Sequence, residues 1–179
     1  MAELDGEIII KLAVQALKKY VKHGQKIEIT SEIENKLDVK RGVFVSLKKD
    51  GDLRGCIGTI EAVEKNLAHE IAANTIKACS QDPRFPEVKE KELPQIELSV
   101  DVLSPKEKVV DLDKLNPKKY GVIVNKGRRT GLLLPDLDGV DTVEKQLDIA
   151  RRKAGLSPDE KFDIYRFQVK RFTMDDYYE

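Results

Sequence analysis

Two strand-like runs meet across an Asp-Gly pair, and this constrains the fold more than any other feature. "GVFVSL" (42–47) is β-branched and aromatic, "KKDGD" (48–52) is turn-rich, and "LRGCIGTI" (53–60) is a second apolar run. An Asp50-Gly51 pair between such runs is a strong hairpin signal, because the tight turn that matches strand twist needs positive φ at both central residues. A hairpin is marginal alone, so the chain must build a larger sheet around it. The returning strand is unusual. Gly55 and Gly58 bring no side chain to pack, and Arg54 is a residue that cores rarely accept. Either the sheet bends here for packing, or something approaches its backbone closely.

The rest of the chain supplies partners for that hairpin. Asp5 is placed to cap a helix over about 5–23, in which Ile8, Leu12, Leu17 and Val21 recur at helical spacing and Gly24 stands as terminator. A short helix is expected at 31–37, with Ser31 and Glu34 spaced as a capping box. "AVEKNLAHEIAANTIKACSQ" (62–81) returns to helical spacing through Val63, Leu67, Ile71 and Cys79, and stops at "DPRFP", where Pro83 forbids continued helix. "QIELSVDVLSP" (95–105) alternates, with Ile96, Leu98, Val100 and Val102 on one face and Glu97, Ser99 and Asp101 on the other. "YGVIV", the turn "NKGRRTG" and "LLLP" read as another pair of strands. "TVEKQLDIARRKAGL" (142–156) is a helix in which Thr142 and Lys145 just miss a capping box and Gly155 terminates. "FDIYRFQVKRF" (162–172) reads as one last strand, and "TMDDYYE" as a tail that is loose or docks by its tyrosines.

Hairpins outnumber βαβ units in this order, so the expected class is α+β with a largely antiparallel or mixed sheet. The 179 residues suffice for one sizeable core or two small lobes around one sheet, with no low-complexity linker.

Charge excludes some functions. The 32 basic and 32 acidic residues cancel, and a dedicated nonspecific nucleic-acid binder would need a basic surplus. Charged residues reach 36%, a surplus that resembles the surfaces of heat-adapted, thermostable proteins. Cys56 and Cys79 have neither a metal-binding spacing nor the look of a disulfide framework. The acidic start lacks the basic, long-apolar pattern of a secretory leader, and no apolar run is long enough to span a bilayer. A cytoplasmic, reduced protein is expected, with no membrane partner.

Four stretches could carry chemistry. Strict alternation puts Arg54, Cys56, Gly58 and Ile60 on one strand face, where residues two apart lie roughly 7 Å from each other. Arg54 would then lower the thiol pKa of Cys56, and Gly58 would leave room for a ligand beside the sulfur. The plainer alternative is a Cys56 that is a small core residue and an Arg54 that escapes to solvent. Nucleophilic cysteines usually need a base. The only two histidines, His23 and His69, sit at a helix end and off a helix stripe, so a Cys-His protease is a weak reading. In "DPRFP", Asp82 and Arg84 flank a rigid proline turn, as ligand contacts or as turn-holding groups. "NKGRRTG" gathers Lys126, Arg128 and Arg129 as an anion site or a solvated tip. Glu97, Ser99 and Asp101 form either a carboxylate site or one wet strand face.

The stretches "LRGCIGT", "DPRFP", "ELSVDVLSP", "GRRTGLLLP" and "DTVEKQLDIARRKAGL", in this order over about Val43 to Leu156, resemble the AMMECR family. The resemblance implies a single domain over the whole chain, of two unequal lobes with a curved, barrel-like sheet flanked by helices and a cleft between the lobes. It implies no established reaction. It transfers most securely to Leu53 through Thr59 and to Asp82, Arg84 and Phe85. Where the family has a second proline after Pro86, Glu87 stands here. The family's association with Memo-family and radical-SAM proteins implies partners from that pathway. Two functions follow as expectations. In one, a ligand-binding or enzyme-like site uses Cys56 and Arg54, with Gly55, Gly58, Asp82, Arg84, Arg128 and Arg129 as ligand contacts, on a small anionic or peptide-like substrate. In the other, the same surface is a noncatalytic docking or scaffold face.

Overall fold

The computed structural model describes residues 4–177. Its elements are mixed α and β, and its strands form two four-stranded sheets rather than one; no closed barrel is found among the described residues. The contacts divide the chain into two compact units. The larger runs to Val102 and takes the chain back from Lys170, and the smaller is Leu103–Val169.

In the larger unit, helix α1 (Gly6–His23) starts where Asp5 accepts the Ile8 amide at 3.1 Å and ends where Gly24 takes the left-handed conformation at φ 65°. Helix α2 (Ser31–Lys36) is capped by Thr30, not by Ser31, so the expected Ser31–Glu34 box is not made; Glu34 instead pairs with Lys65. Strands β1 (Val43–Lys49) and β2 (Asp52–Thr59) form the expected hairpin, with φ 53° at Asp50 and 84° at Gly51. Strand β3 (Ile96–Leu103) pairs antiparallel on the other side of β1, and β8 (Val169–Thr173) lies beyond it, giving the order β2-β1-β3-β8. β2 is therefore an edge strand.

Helix α3 (Leu67–Ser80) begins five residues later than the periodicity suggests. Asn66 caps it, and Val63 stands outside it, 75% exposed. The cause is Glu70. Its buried carboxylate accepts the amides of Val63 and Glu64, both at 2.8 Å, and the Thr59 hydroxyl at 2.7 Å. Those bonds hold residues 60–66 as a loop. The core under this sheet joins Ile9, Leu12 and Leu17 of α1 and Ile71 of α3 to Val43, Val45, Leu47, Leu98 and Val100. The C-terminal segment docks through Tyr177, whose ring stands 6.5 Å from Phe172; Tyr178 and Glu179 lie outside the described residues.

In the smaller unit the sheet order is β4-β7-β5-β6, from β4 (Glu107–Val109), β5 (Gly121–Lys126), β6 (Arg129–Leu133) and β7 (Asp163–Phe167). Helix α4 (Val143–Lys153) packs on β6, with Thr142 as its cap and Gly155 in the left-handed region after it. The approach is close: a Cβ on Gly131 would lie 2.0 Å from the Ala150 carbonyl oxygen. The run "FDIYRFQVKRF" is not one strand. It breaks at Gln168, whose amide turns to the Ser104 hydroxyl at 2.9 Å, so β7 and β8 join different sheets. No helix among the described residues is long and apolar enough to cross a membrane.

Candidate functional site

The strand β2 carries a bulge where alternation predicts none. Leu47 pairs with Gly55, but Lys48 pairs with Leu53, so Arg54 is the extra residue. A bulge re-aims its side chain. Arg54 does not turn to Cys56. Its Nε and Nη2 bind both oxygens of Glu92 at 3.0 Å, and Nη1 and Nη2 donate to the carbonyls of Pro86 and Glu87 at 2.9 and 3.2 Å. Glu92 sits at the start of a 3-10 turn (Glu90–Gln95), takes the Lys89 amide as well, and its pKa is lowered to about 2, chiefly by Arg54. The guanidinium thus ties β2 to the segment 86–92.

The "DPRFP" turn closes the same edge. Asp82 Oδ2 accepts the Cys56 amide at 2.9 Å, and Arg84 Nη2 reaches the Cys56 carbonyl at 3.4 Å. An edge strand leaves such groups open to stray pairing, and here the turn occupies them. Asp82 is buried, and bonds from Arg84 hold its carboxyl well below the usual range. Arg84 is held by two bonds to Asp82, at 3.0 and 2.7 Å, yet its side chain is half exposed and lies over Phe85. Arg84 thus reaches the backbone of Cys56 itself, whereas the guanidinium of Arg54 is turned to Glu92. The cation beside Cys56 is therefore Arg84.

Each glycine of the motif has a separate reason. A Cβ at Gly55 would lie 2.2 Å from the Ala78 carbonyl oxygen, so Gly55 lets α3 approach β2. A Cβ at Gly58 would lie 2.3 Å from the Phe44 ring. The space that alternation assigns to a ligand at Gly58 is taken by Phe44, its partner across the ladder.

Cys56 is partly buried, and Ser46, opposite it on β1, donates its hydroxyl to Cys56 Sγ at 3.2 Å. Ser46 stands opposite Ser99 on β3, so a row of one thiol and two hydroxyls crosses the sheet. Ser46 and Ser99 also line a groove of about 260 Å³, with Lys48, Glu97, Arg171 and Thr173. The third polar residue of β3 is different: Asp101 is buried, and Arg171 binds it at 2.7 Å through each oxygen. Ser46 was legible as a polar residue at a wet-face position of β1. Glu92 carried no signal, being one of several glutamates in a charged run.

Arg128 and Arg129 belong to the smaller unit. Gly127, at φ 62°, makes a two-residue turn there, and Arg128 is exposed at its tip. Arg129 and Lys126 both pair with Glu160, at 2.5 and 2.9 Å, so a single carboxylate is shared by two of the three cations in the cluster. Of the histidines, His69 bonds Asn66 and stands 3.3 Å from Glu34, away from Cys56. Among the described residues no group of three or more His, Cys, Asp or Glu side chains is placed to hold a metal ion.

Comparison with known proteins covers nearly the whole chain. A family model described as AMMECR1 matches residues 10–172. A Thermotoga maritima protein is 52% identical over 166 residues, 91% of this chain and 95% of its own length. A Clostridium acetobutylicum protein is also 52% identical, over 90% of this chain; the match spans only 35% of that longer protein. The crystal structure of an uncharacterized protein from Pyrococcus horikoshii superposes with a TM-score of 0.84 at 33% identity, covering 93% of this chain and 89% of the other.

Proposed function

The chain belongs to the AMMECR1 family, and from that premise we propose that it binds a small anionic or peptide-like ligand on the outer face of the β2-β1-β3 sheet, in an enzyme-like site beside Cys56. One observation carries this reading. Ser46 both donates to Cys56 Sγ and lines the adjoining groove, so the sulfur stands one side chain away from a polar hollow. Half-exposed Arg84 beside Cys56 and Lys48 in the groove are the cations an anionic group would meet, while Arg171 is held by Asp101. Glu97 and Asp175 in the lining suit the basic or amide groups of a peptide-like ligand. The roles divide accordingly. Arg54, Gly55 and Asp82 hold the β2 edge, while Cys56, Ser46, Ser99 and Arg84 face the ligand. A free, partly exposed thiol with a hydroxyl donor supports contact with a carbonyl or anionic group, and a proton acceptor for covalent chemistry would have to come from the ligand or a partner.

The second reading, a noncatalytic docking face, is favoured by the number of motif groups bonded to the chain's own backbone. In it Cys56 is filler, and Memo-family or radical-SAM proteins are the partners. Two free cysteines support a reducing, cytoplasmic setting, and relatives from heat-loving organisms support a thermostable protein.

Cys56→Ser and Ser99→Arg separate the two readings by complementation of a strain lacking its homologue. Loss of function in both, with the fold intact, supports the ligand site. Full function of Cys56→Ser overturns it in favour of docking.

A further inference from the structure

A second surface of the larger unit shares no lining residue with the Cys56 groove. Ile27, Ile29, Ala72, Ala73 and Ile76 enclose an apolar hollow of about 220 Å³ between α3 and the segment that follows α1. Ile27 also lines an adjoining, shallower hollow against the outer side of α1, with Lys18, Lys19, Lys22 and His23 around it. The rim of the first hollow adds Lys26 and Lys77 against the single carboxylate of Glu64, with His69 beside it. Lys22 approaches Glu90 at 3.9 Å, but Lys18, Lys19, Lys26 and Lys77 have no ion-pair partner among the described residues. In a chain of zero net charge, this is a local cationic excess around an apolar floor.

The backbone nearby is unpaired as well. Half-buried Ile27 and Ile29 alternate with exposed Lys26, Glu28 and Thr30, the pattern of an extended chain. Among the described residues the main-chain groups of 25–29 make no hydrogen bonds. Free main-chain donors and acceptors beside side-chain pockets are what an added peptide strand needs.

We propose that this groove binds an extended acidic peptide segment of a partner protein, with aliphatic side chains seated on Ile27, Ile29 and Ile76 and carboxylates facing the unpaired lysines. Charge complementarity selects the acidic character. The enclosed apolar floor selects a peptide with anchors over a nucleic-acid backbone, which would leave that floor empty.

Fluorescence anisotropy of a labelled peptide of alternating Glu and Leu tests this on the full chain. The peptide should bind, and the paired substitution K26E/K77E, both on exposed or half-exposed positions, should weaken it by about tenfold or more at low salt. An alternating Glu–Ser peptide should bind much more weakly, and Ala73→Glu, which fills the hollow, should abolish binding while Cys56→Ser leaves it unchanged. The proposal is overturned by no binding of the Glu–Leu peptide, by equal binding of the Glu–Ser peptide, by an unchanged affinity in K26E/K77E, or by full displacement of the peptide with single-stranded DNA or phosphatidylserine vesicles.

Discussion

Arg54 grips Glu92 with two parallel hydrogen bonds, Nε to Oε1 and Nη2 to Oε2, each 3.0 Å long. Both side chains are nearly buried, at 13% and 12% exposure. The arginine that looks like a catalytic companion of Cys56 is thus a fastener between the edge strand and the segment behind the "DPRFP" turn. Removing it leaves the nearly buried Glu92 carboxylate with only the Lys89 amide at 2.9 Å and a longer contact to Lys49 at 3.4 Å. Arg54→Ala should cost about 3 kcal/mol or more, and Arg54→Lys most of that, because lysine cannot reproduce the planar fork. Urea unfolding checks this, and a loss under about 1 kcal/mol would show that the pair is not fastening the edge.

The same pair sets a pH dependence. The folded-state pKa of Glu92 is about 2 against an ordinary 4.5, so its ionised form stabilises the fold. That contribution is complete above about 4.5 and is lost as pH falls through 2. Asp82 shifts in the same direction. Stability of the wild type should therefore fall steeply over this acid window. Glu92→Gln should be less stable at neutral pH and flatter across the window, and parallel curves would remove Glu92 from the account.

Asp82 protects one amide. The Cys56 N–H points off an edge strand, where water would otherwise exchange it, and the Asp82 carboxylate accepts it at 2.9 Å. In Asp82→Ala the Cys56 amide should exchange at least about tenfold faster, with a stability loss of about 2 kcal/mol. Unchanged protection by mass-resolved exchange would mean that another group covers the edge.

Gly55 and Gly127 should respond differently to alanine. At Gly55 the new Cβ meets the Ala78 carbonyl at 2.2 Å, so α3 must move from β2. At Gly127 there is open space, and the cost is only a φ of 62°. Gly55→Ala should lose about 3 kcal/mol and Gly127→Ala about 1 kcal/mol. Thermal unfolding of the two variants gives the order, and an inverted order would deny the close helix–strand approach.

Local signals were the ones legible in the sequence. The Asp5 cap, the Gly24 and Gly155 terminators and the Asp50-Gly51 turn depend on neighbouring residues alone, and each stands where the pattern puts it. The inward side of β3 was equally plain, because Ile96 through Val102 alternate without a break. What failed depends on distant partners. The bulge at Arg54 exists only in the β1–β2 ladder. The late start of α3 depends on a glutamate that turns back to bind its own loop. The break at Gln168 depends on Ser104, more than sixty positions away along the chain. At the site, Asp82 and Arg84 lie against the backbone of Cys56, while Arg54, for which the sequence offered either Cys56 or solvent, grips Glu92 instead. A bidentate acceptor among many surface glutamates has no local signature.

The central claim is that Cys56 lies at an accessible, anion-attracting face. Its most direct test is the labelling rate of the native protein with iodoacetate and with neutral iodoacetamide, read at each cysteine by mass spectrometry. Cys79 is buried, with its thiol pushed up to about 11 by desolvation, and should react only after unfolding. Cys56 should react in the folded state and favour the anionic reagent, and Arg84→Gln should lower that preference several-fold. A Cys56 that stays unlabelled until the chain unfolds, or a preference that Arg84→Gln leaves unchanged, would contradict the account.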